Sequence, residues 1–207
     1  MSNLTILGAL TIFCAVSFGQ TEAVPVPTGT ADPLFRFTRA LANRRVDDHQ
    51  TRRTVAVVVA CAGRLDELQA KSKEYASSLR ETLTQQLSRA AAALDLLGTD
   101  SLGAVRIVLV QALQETNVRK QTGFEYLMSA VAQREGSGQA SGKPIQEVVQ
   151  AAITMLSSIE GDAAKYQSAQ LLLYEAGTLV PLFGNDQIAL GGLKRDMLNL
   201  ATSTRLE

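Results

Sequence analysis

Cysteine, histidine and tryptophan are scarce in this 207-residue chain, which has two cysteines, one histidine and no tryptophan. A zinc finger or a cysteine cluster is excluded, because each needs more cysteine and histidine ligands than the chain has. A fold held together by disulfides is excluded for the same reason. The fold must therefore depend on a hydrophobic core, for which an apolar content of 46% is ample.

The chain also lacks a net charge and a recognisable reactive motif. Its 20 Lys and Arg balance its 20 Asp and Glu, so no overall field attracts it to nucleic acid or to an anionic membrane. A Ser-His-Asp triad could use only His49, and no Gly-x-Ser-x-Gly sequence is present. The segment 136–143 resembles a phosphate loop in composition but lacks the Ser or Thr that should follow Lys143. We therefore predict that the protein is not an enzyme and uses no cofactor or metal.

The first 19 residues contain no Asp, Glu, Lys or Arg, and their apolar centre is too short to span a bilayer. Ser17 and Gly19 place small residues where a signal peptidase accepts them. We expect residues 1–19 to be a signal peptide, 20–32 a Pro-containing linker, and 33–207 one helical domain. The protein is then secreted and extracellular, and it has no transmembrane segment.

Apolar residues recur at steps of three and four along most of the chain, and no strand-like alternation of any length is present. The pattern predicts an all-α fold, an up-and-down bundle of about four long amphipathic helices plus a short N-terminal helix. Gly98 should end a helix, a break near Gly63 is left open, and helix should continue through Gly161. A turn is expected at 181–186. The predicted helices are 33–44, 47–97, 100–135, 144–177 and 187–203.

Six arginines stand near the predicted start of the second helix, with only two acidic residues among them. They are candidates for binding a sulfated glycan or a lipid headgroup. The pairs at 44–45 and 52–53 could instead be processing sites, and the alternative to both is a solvated helix start. Cys61 is either a buried structural thiol or a candidate interchain thiol. The candidate patch is Arg36, Arg39, Arg44, Arg45, Arg52 and Arg53.

In overall character the chain is similar to exchangeable insect apolipoproteins, which are secreted, cysteine-poor helix bundles that open on lipid. It has fewer charges and more β-branched residues, which suit a permanently closed core. Two functions stay open. One is a secreted protein that binds an apolar small molecule or a lipid surface. The other is an extracellular protein that self-associates or binds a protein partner through the coiled-coil-like stripe at 64–97.

Overall fold

The computed structural model describes Phe37 and residues 48–70, 74–117 and 120–203. Within these residues the chain is helical and contains no strand, which confirms the predicted all-α class. A 3-10 turn, Gly98–Ser101, joins the second and third helices. Residues 48–203 form seven helices where the structure describes them: α1 His49–Ala70, α2 Glu74–Leu97, α3 Leu102–Glu115, α4 Gly123–Gly136, α5 Lys143–Ser158, α6 Ala163–Phe183 and α7 Gln187–Thr202.

Three of the helices begin where a short polar side chain accepts unsatisfied N–H groups of the first turn. Thr122 forms a reciprocal capping box with Glu125 at the start of α4. Asp162 accepts from the N–H of Lys165 at the start of α6, and Asp186 accepts from two N–H groups of α7. These caps fix the first turns of three of the four helices in the C-terminal half.

The predicted bundle of about four long helices is not what the described residues show, because long predicted helices are divided. The predicted helix 47–97 passes through Gly63 and is split into α1 and α2, which end and begin at Ala70 and Glu74. The predicted helix 100–135 is divided into α3, which ends at Glu115, and α4, which begins at Gly123. The predicted helix 144–177 stops at Ser158, since Gly161 adopts a left-handed φ of 83°. The predicted signal peptide, the predicted linker and the predicted short helix at 33–44 lie outside the described residues, apart from Phe37.

Two hydrophobic clusters form the interior. The first is built by α1, α2 and α3, with Phe37 buried among them. The second is built by α4, α5, α6 and α7. Helix α1 packs against both α6 and α7, and α3 packs against α6, so these contacts join the two clusters. Each cluster also includes one buried side chain from the other half, Tyr174 in the first and Ala56 in the second, and Tyr126 and Leu171 pack against the first.

Candidate ligand clefts beside a buried ion-pair cluster

The structure describes two members of the predicted basic patch, and these two arginines differ in exposure. Arg52 is partly exposed and its Nη1 donates to Asp186 Oδ2 at 2.5 Å. Arg53, the next residue along α1, has a side chain with 0% exposure. Arg53 must therefore be removed from the predicted contact patch, because its guanidinium has no surface to offer a glycan or headgroup. The predicted patch residues Arg36, Arg39, Arg44 and Arg45 lie outside the described residues.

Arg53 is instead the centre of a group of four charged side chains, here called the ion-pair cluster: Arg53, Arg106, Glu175 and Asp196. Arg53 Nε and Nη2 donate to the two carboxylate oxygens of Glu175, at 2.5 and 3.0 Å. Its Nη1 donates to Asp196 Oδ2 at 2.5 Å. This bidentate geometry is the arrangement for which arginine is best suited. The cluster lies where α1, α3, α6 and α7 meet.

Arg106 completes the ion-pair cluster from α3. Its Nε lies 2.9 Å from Glu175 Oε1, although the N–H is not directed at that oxygen. Its Nη1 donates to Gln50 Oε1 at 2.5 Å. Burial and the neighbouring charge of Arg53 lower the pKa of Arg106, with Glu175 opposing the shift. Burial also lowers the pKa of Arg53, but Glu175 and Asp196 together raise it above its ordinary value. Two cations and two carboxylates make the cluster neutral in total.

A cleft of about 410 Å³ opens above this cluster between α3, α6 and α7. We call it the apolar cleft, because most of its surface comes from aliphatic side chains. The polar residues of its wall are Glu175 and Asp196 of the ion-pair cluster, together with Ser168, Asn199 and Ser203. Glu175 is buried, whereas the Asp196 side chain is 30% exposed. The aliphatic residues that line the cleft are Ile107, Val110, Leu171, Leu172 and Leu200.

A second cleft, of about 540 Å³, lies between α1, α3, α4 and α6. We call it the tyrosine cleft, because Tyr126 and Tyr174 stack there with ring centroids 5.1 Å apart and ring planes 25° apart. The Tyr174 hydroxyl donates to the carbonyl of Gln121 and accepts from Asn117 Nδ2. Burial raises the pKa of both tyrosines, so both hydroxyls stay protonated at neutral pH.

Cys61 and the 52–53 pair are both enclosed by the fold. Cys61 has 0% exposure and packs in the first hydrophobic cluster. Burial raises the pKa of its thiol, which suppresses the reactive thiolate. In this fold its sulfur cannot reach a second chain, so the structure favours the structural reading of Cys61. Cleavage at 52–53 is likewise blocked in the folded chain, because the bond is helical and Arg53 is buried.

His49 is the first residue of α1 and lies in a surface network, not in a triad. Its Nδ1 is 3.2 Å from Asp48 Oδ1, and Arg195 Nη2 lies 2.9 Å from its Nε2. Among the described residues no group of three His, Cys, Asp or Glu side chains is arranged to hold a metal ion. No described helix is long and apolar enough to cross a bilayer.

The stripe predicted for association with a partner is used inside the molecule. Leu83, Leu87 and Leu94 are completely buried in the first hydrophobic cluster, and Leu68 is 2% exposed. Leu96 and Leu97, at the end of α2, are exposed. The coiled-coil reading of 64–97 therefore loses most of the surface on which it depended.

The sequence interpretation missed both clefts and the ion-pair cluster. A signal for the cluster was present in the sequence: Arg106 is the only charge in the apolar run 102–110, and Glu175 is the only charge in 171–180. Lone charges within apolar helix faces are almost never buried without partners. Such residues predict buried ion pairs, although not which residues pair. Comparisons of the chain with known protein families, with curated proteins and with solved structures find no match in any of the three.

Proposed function

We propose that this chain is a secreted, non-enzymatic binding protein that holds a small apolar molecule in the apolar cleft. The observation that carries the proposal is the lining of the cleft, where aliphatic side chains from three helices surround a space of about 410 Å³. Ligand sites of small molecules are mostly apolar concavities of about 300–1,000 Å³ with a few polar groups that orient the ligand.

The charges beside the apolar cleft favour an uncharged ligand. Glu175 is neutralised by two guanidinium groups, and Asp196 receives the Arg53 Nη1 donor on Oδ2. A charged ligand would unbalance this neutral cluster at a site where water screens poorly. Among the described residues none donates to Asp196 Oδ1, and that carboxylate is partly exposed. We infer that the ligand has an aliphatic body and a neutral donor, such as a hydroxyl, that meets this oxygen.

A closed ligand site is also more compatible with this interior than spreading on a lipid surface. Spreading would require the two hydrophobic clusters to separate along α1, α6 and α7. Such separation would move Arg53 of α1 away from its partners Glu175 of α6 and Asp196 of α7. Any of these charges that stayed buried would then have no partner, which is costly. Binding of an apolar ligand is therefore the function we propose, and binding to a lipid surface is the alternative.

The proposal is tested by titrating the protein with 1-octanol in a calorimeter. Ser168 is exposed at the mouth of the apolar cleft, so Ser168→Trp places an indole over the opening without touching the core. The matched control is Ser157→Trp, because Ser157 is also an exposed helical serine and its hydroxyl likewise donates to the carbonyl four residues earlier.

We expect octanol to bind the wild-type protein and the Ser157→Trp variant equally. Ser168→Trp should weaken binding by at least about tenfold, or ~1.4 kcal/mol. Equal affinities for the two variants would contradict the assignment of the cleft. Binding that appears only with phospholipid vesicles, together with a change in helicity, would favour the lipid-surface alternative.

A further inference from the structure

Gly63 is the only glycine in α1, and it stands seven residues before the last residue of the helix, Ala70. Glycine is the least favourable residue inside a helix after proline, because it loses the most backbone freedom on folding. Such a glycine is usually retained because a neighbour leaves no room for a side chain. At Gly177 and Gly192 this is so: a Cβ would lie 2.4 Å from the Tyr126 ring and 2.3 Å from the His49 ring, respectively.

No such neighbour exists at Gly63. A Cβ built there meets no heavy atom within 4 Å. Nothing in the packing of the described residues therefore requires glycine at this position. Gly63 does line the tyrosine cleft, so the space left open by its missing side chain belongs to that cleft. Gly63 is thus an unfavourable residue for helix α1, but its lack of a side chain widens the tyrosine cleft.

The wall opposite α1 carries the stacked tyrosines. The Tyr126 ring rests on Gly177 and stacks with Tyr174, and both of these neighbours belong to α6. The side of the ring turned away from α6 is therefore the side that the cleft can offer to a ligand. An aromatic molecule placed there would extend the stack, and such offset aromatic pairs gain more than their buried area alone provides.

The charges around the tyrosine cleft are balanced. Arg64 Nη1 donates to Glu67 Oε2 at 2.6 Å, and Arg64 Nη2 donates to the carbonyl of Thr116. Both charged side chains line the cleft, so one positive and one negative group face it as a pair. The remaining polar lining comes from neutral amides and hydroxyls, including Gln121, Ser129 and Gln133. This lining suits a molecule without a formal charge.

We propose that the tyrosine cleft is a second ligand site, which binds a small uncharged aromatic or heteroaromatic molecule between Gly63 and Tyr126. This site is separate from the apolar cleft and does not depend on the function proposed there. The two sites share none of their lining residues.

The test compares indole with cyclohexanol by saturation-transfer NMR and by calorimetry on the full-length chain. The chain has no tryptophan, so the indole resonances and any quenching of tyrosine emission are free of protein indole signals. Gly63→Leu should fill the cleft. Gly191→Leu is the matched control, because Gly191 is also inside a helix and a Cβ there also meets nothing within 4 Å.

We expect indole, and not cyclohexanol, to bind the wild-type protein and the Gly191→Leu variant equally. Gly63→Leu should lower indole affinity at least tenfold while its thermal midpoint stays at or above that of the wild type, which shows that it still folds. Gly63→Ala should lower the affinity by less. The proposal is overturned if cyclohexanol binds as well as indole, if Gly63→Leu binds indole normally, or if only Ser168→Trp weakens indole binding.

Discussion

Helix α6 packs against α4 on one side and against α1 and α3 on another, and the two interfaces are built differently. At the interface with α4 the two helices fit closely because a glycine on each helix leaves room for the other. A Cβ on Gly123 of α4 would lie 2.7 Å from Gln170 O and from Leu173 Cβ, and one on Gly177 would lie 2.4 Å from Tyr126. Against α1 and α3 it offers the carboxylate of Glu175, which meets Arg53 and Arg106.

The comparison shows two ways to fix one helix in place. At the α4 interface the helices approach closely, and any added volume must displace a ring or a backbone. At the α1 and α3 interface the helices are held by charges, and removal of one partner leaves another charge buried without compensation. The first interface is therefore sensitive to atoms added, and the second is sensitive to atoms removed.

The largest effect is expected from Arg53→Met. Methionine is close to arginine in length but cannot donate to Glu175 or Asp196, so a buried carboxylate loses its bidentate partner. We expect the free energy of unfolding to fall by about 3–5 kcal/mol, measured by equilibrium unfolding in urea. Arg52→Met is the control, because the adjacent Arg52–Asp186 pair is partly exposed and should contribute about 1 kcal/mol or less.

The double variant Arg53→Met with Glu175→Met sharpens this result. It removes both members of the buried pair, and the remaining charges of Arg106 and Asp196 still balance. It should be more stable than Arg53→Met alone, because apolar groups of similar volume often replace a buried ion pair without loss. Equal losses for Arg52→Met and Arg53→Met would contradict the description of α6 as held by charge on this side.

A smaller effect, of opposite origin, is expected from Gly177→Ala. Alanine is the better helix former by about 1 kcal/mol, yet its methyl group would overlap the ring of Tyr126. We expect a net loss of about 1–3 kcal/mol in the free energy of unfolding. Gly63→Ala is the matched substitution in open space and should stabilise the chain by up to about 1 kcal/mol. If both substitutions stabilised the protein, the close fit between α4 and α6 would be refuted.

The positions of helices could be predicted where the signal is local. Gly98 follows α2 with a left-handed φ of 67°, as expected of a glycine that ends a helix. The predicted helix start at 144 is one residue from the observed start at Lys143, and the predicted start at 187 matches α7. Both helix starts are marked by residues within one turn of the boundary, so the local sequence alone is enough to predict them.

Helix ends were mispredicted where tertiary packing competes with a local signal. The sequence predicts a turn at Pro181, but α6 continues to Phe183 and includes this proline. Pro181 has no N–H to donate to the carbonyl of Gly177, but it lies two residues before the helix ends, so only one helical hydrogen bond is lost there. The preceding Leu179 and Val180 are completely buried and hold this turn against the core. The sequence predicts a continuous helix through Gly161, but the chain breaks there. Gly161 takes a left-handed backbone conformation, and the next residue, Asp162, caps the start of α6.

The clefts and the ion-pair cluster could not be predicted from spacing along the chain. Arg53 meets Glu175 and Asp196 across 122 and 143 residues of sequence. The lone charges in apolar runs indicate that partners are needed, yet only the packing of four helices decides which residues meet. The tyrosine cleft requires the same information, since its two rings come from different helices.

The smallest effect concerns the start of α4, the helix that carries Gly123 onto α6. The backbone N–H of Thr122 and its hydroxyl both donate to the Glu125 carboxylate. These two bonds, of which the backbone bond has the larger effect, lower the pKa of Glu125 below the ordinary 4.5. The unfolded chain therefore binds more protons than the folded chain between the two pKa values. The stabilisation is present above about pH 4.5 and is lost as the pH falls through the lowered pKa.

Glu125→Gln separates the charge from the hydrogen bond, because the amide oxygen can still accept from the Thr122 N–H. At pH 7 the urea midpoint of the wild type should exceed that of Glu125→Gln, and at pH 3 the difference should shrink toward zero. Glu125→Ala loses the acceptor as well, so its deficit should persist at both pH values. Because the carboxylate is exposed, added salt should reduce the difference at pH 7, whereas the loss caused by Gly177→Ala at the α4–α6 interface should not respond to salt. A salt-independent difference at Glu125 would mean that its charge acts from a buried position, as the charges of Arg53 and Glu175 do on the other side of α6.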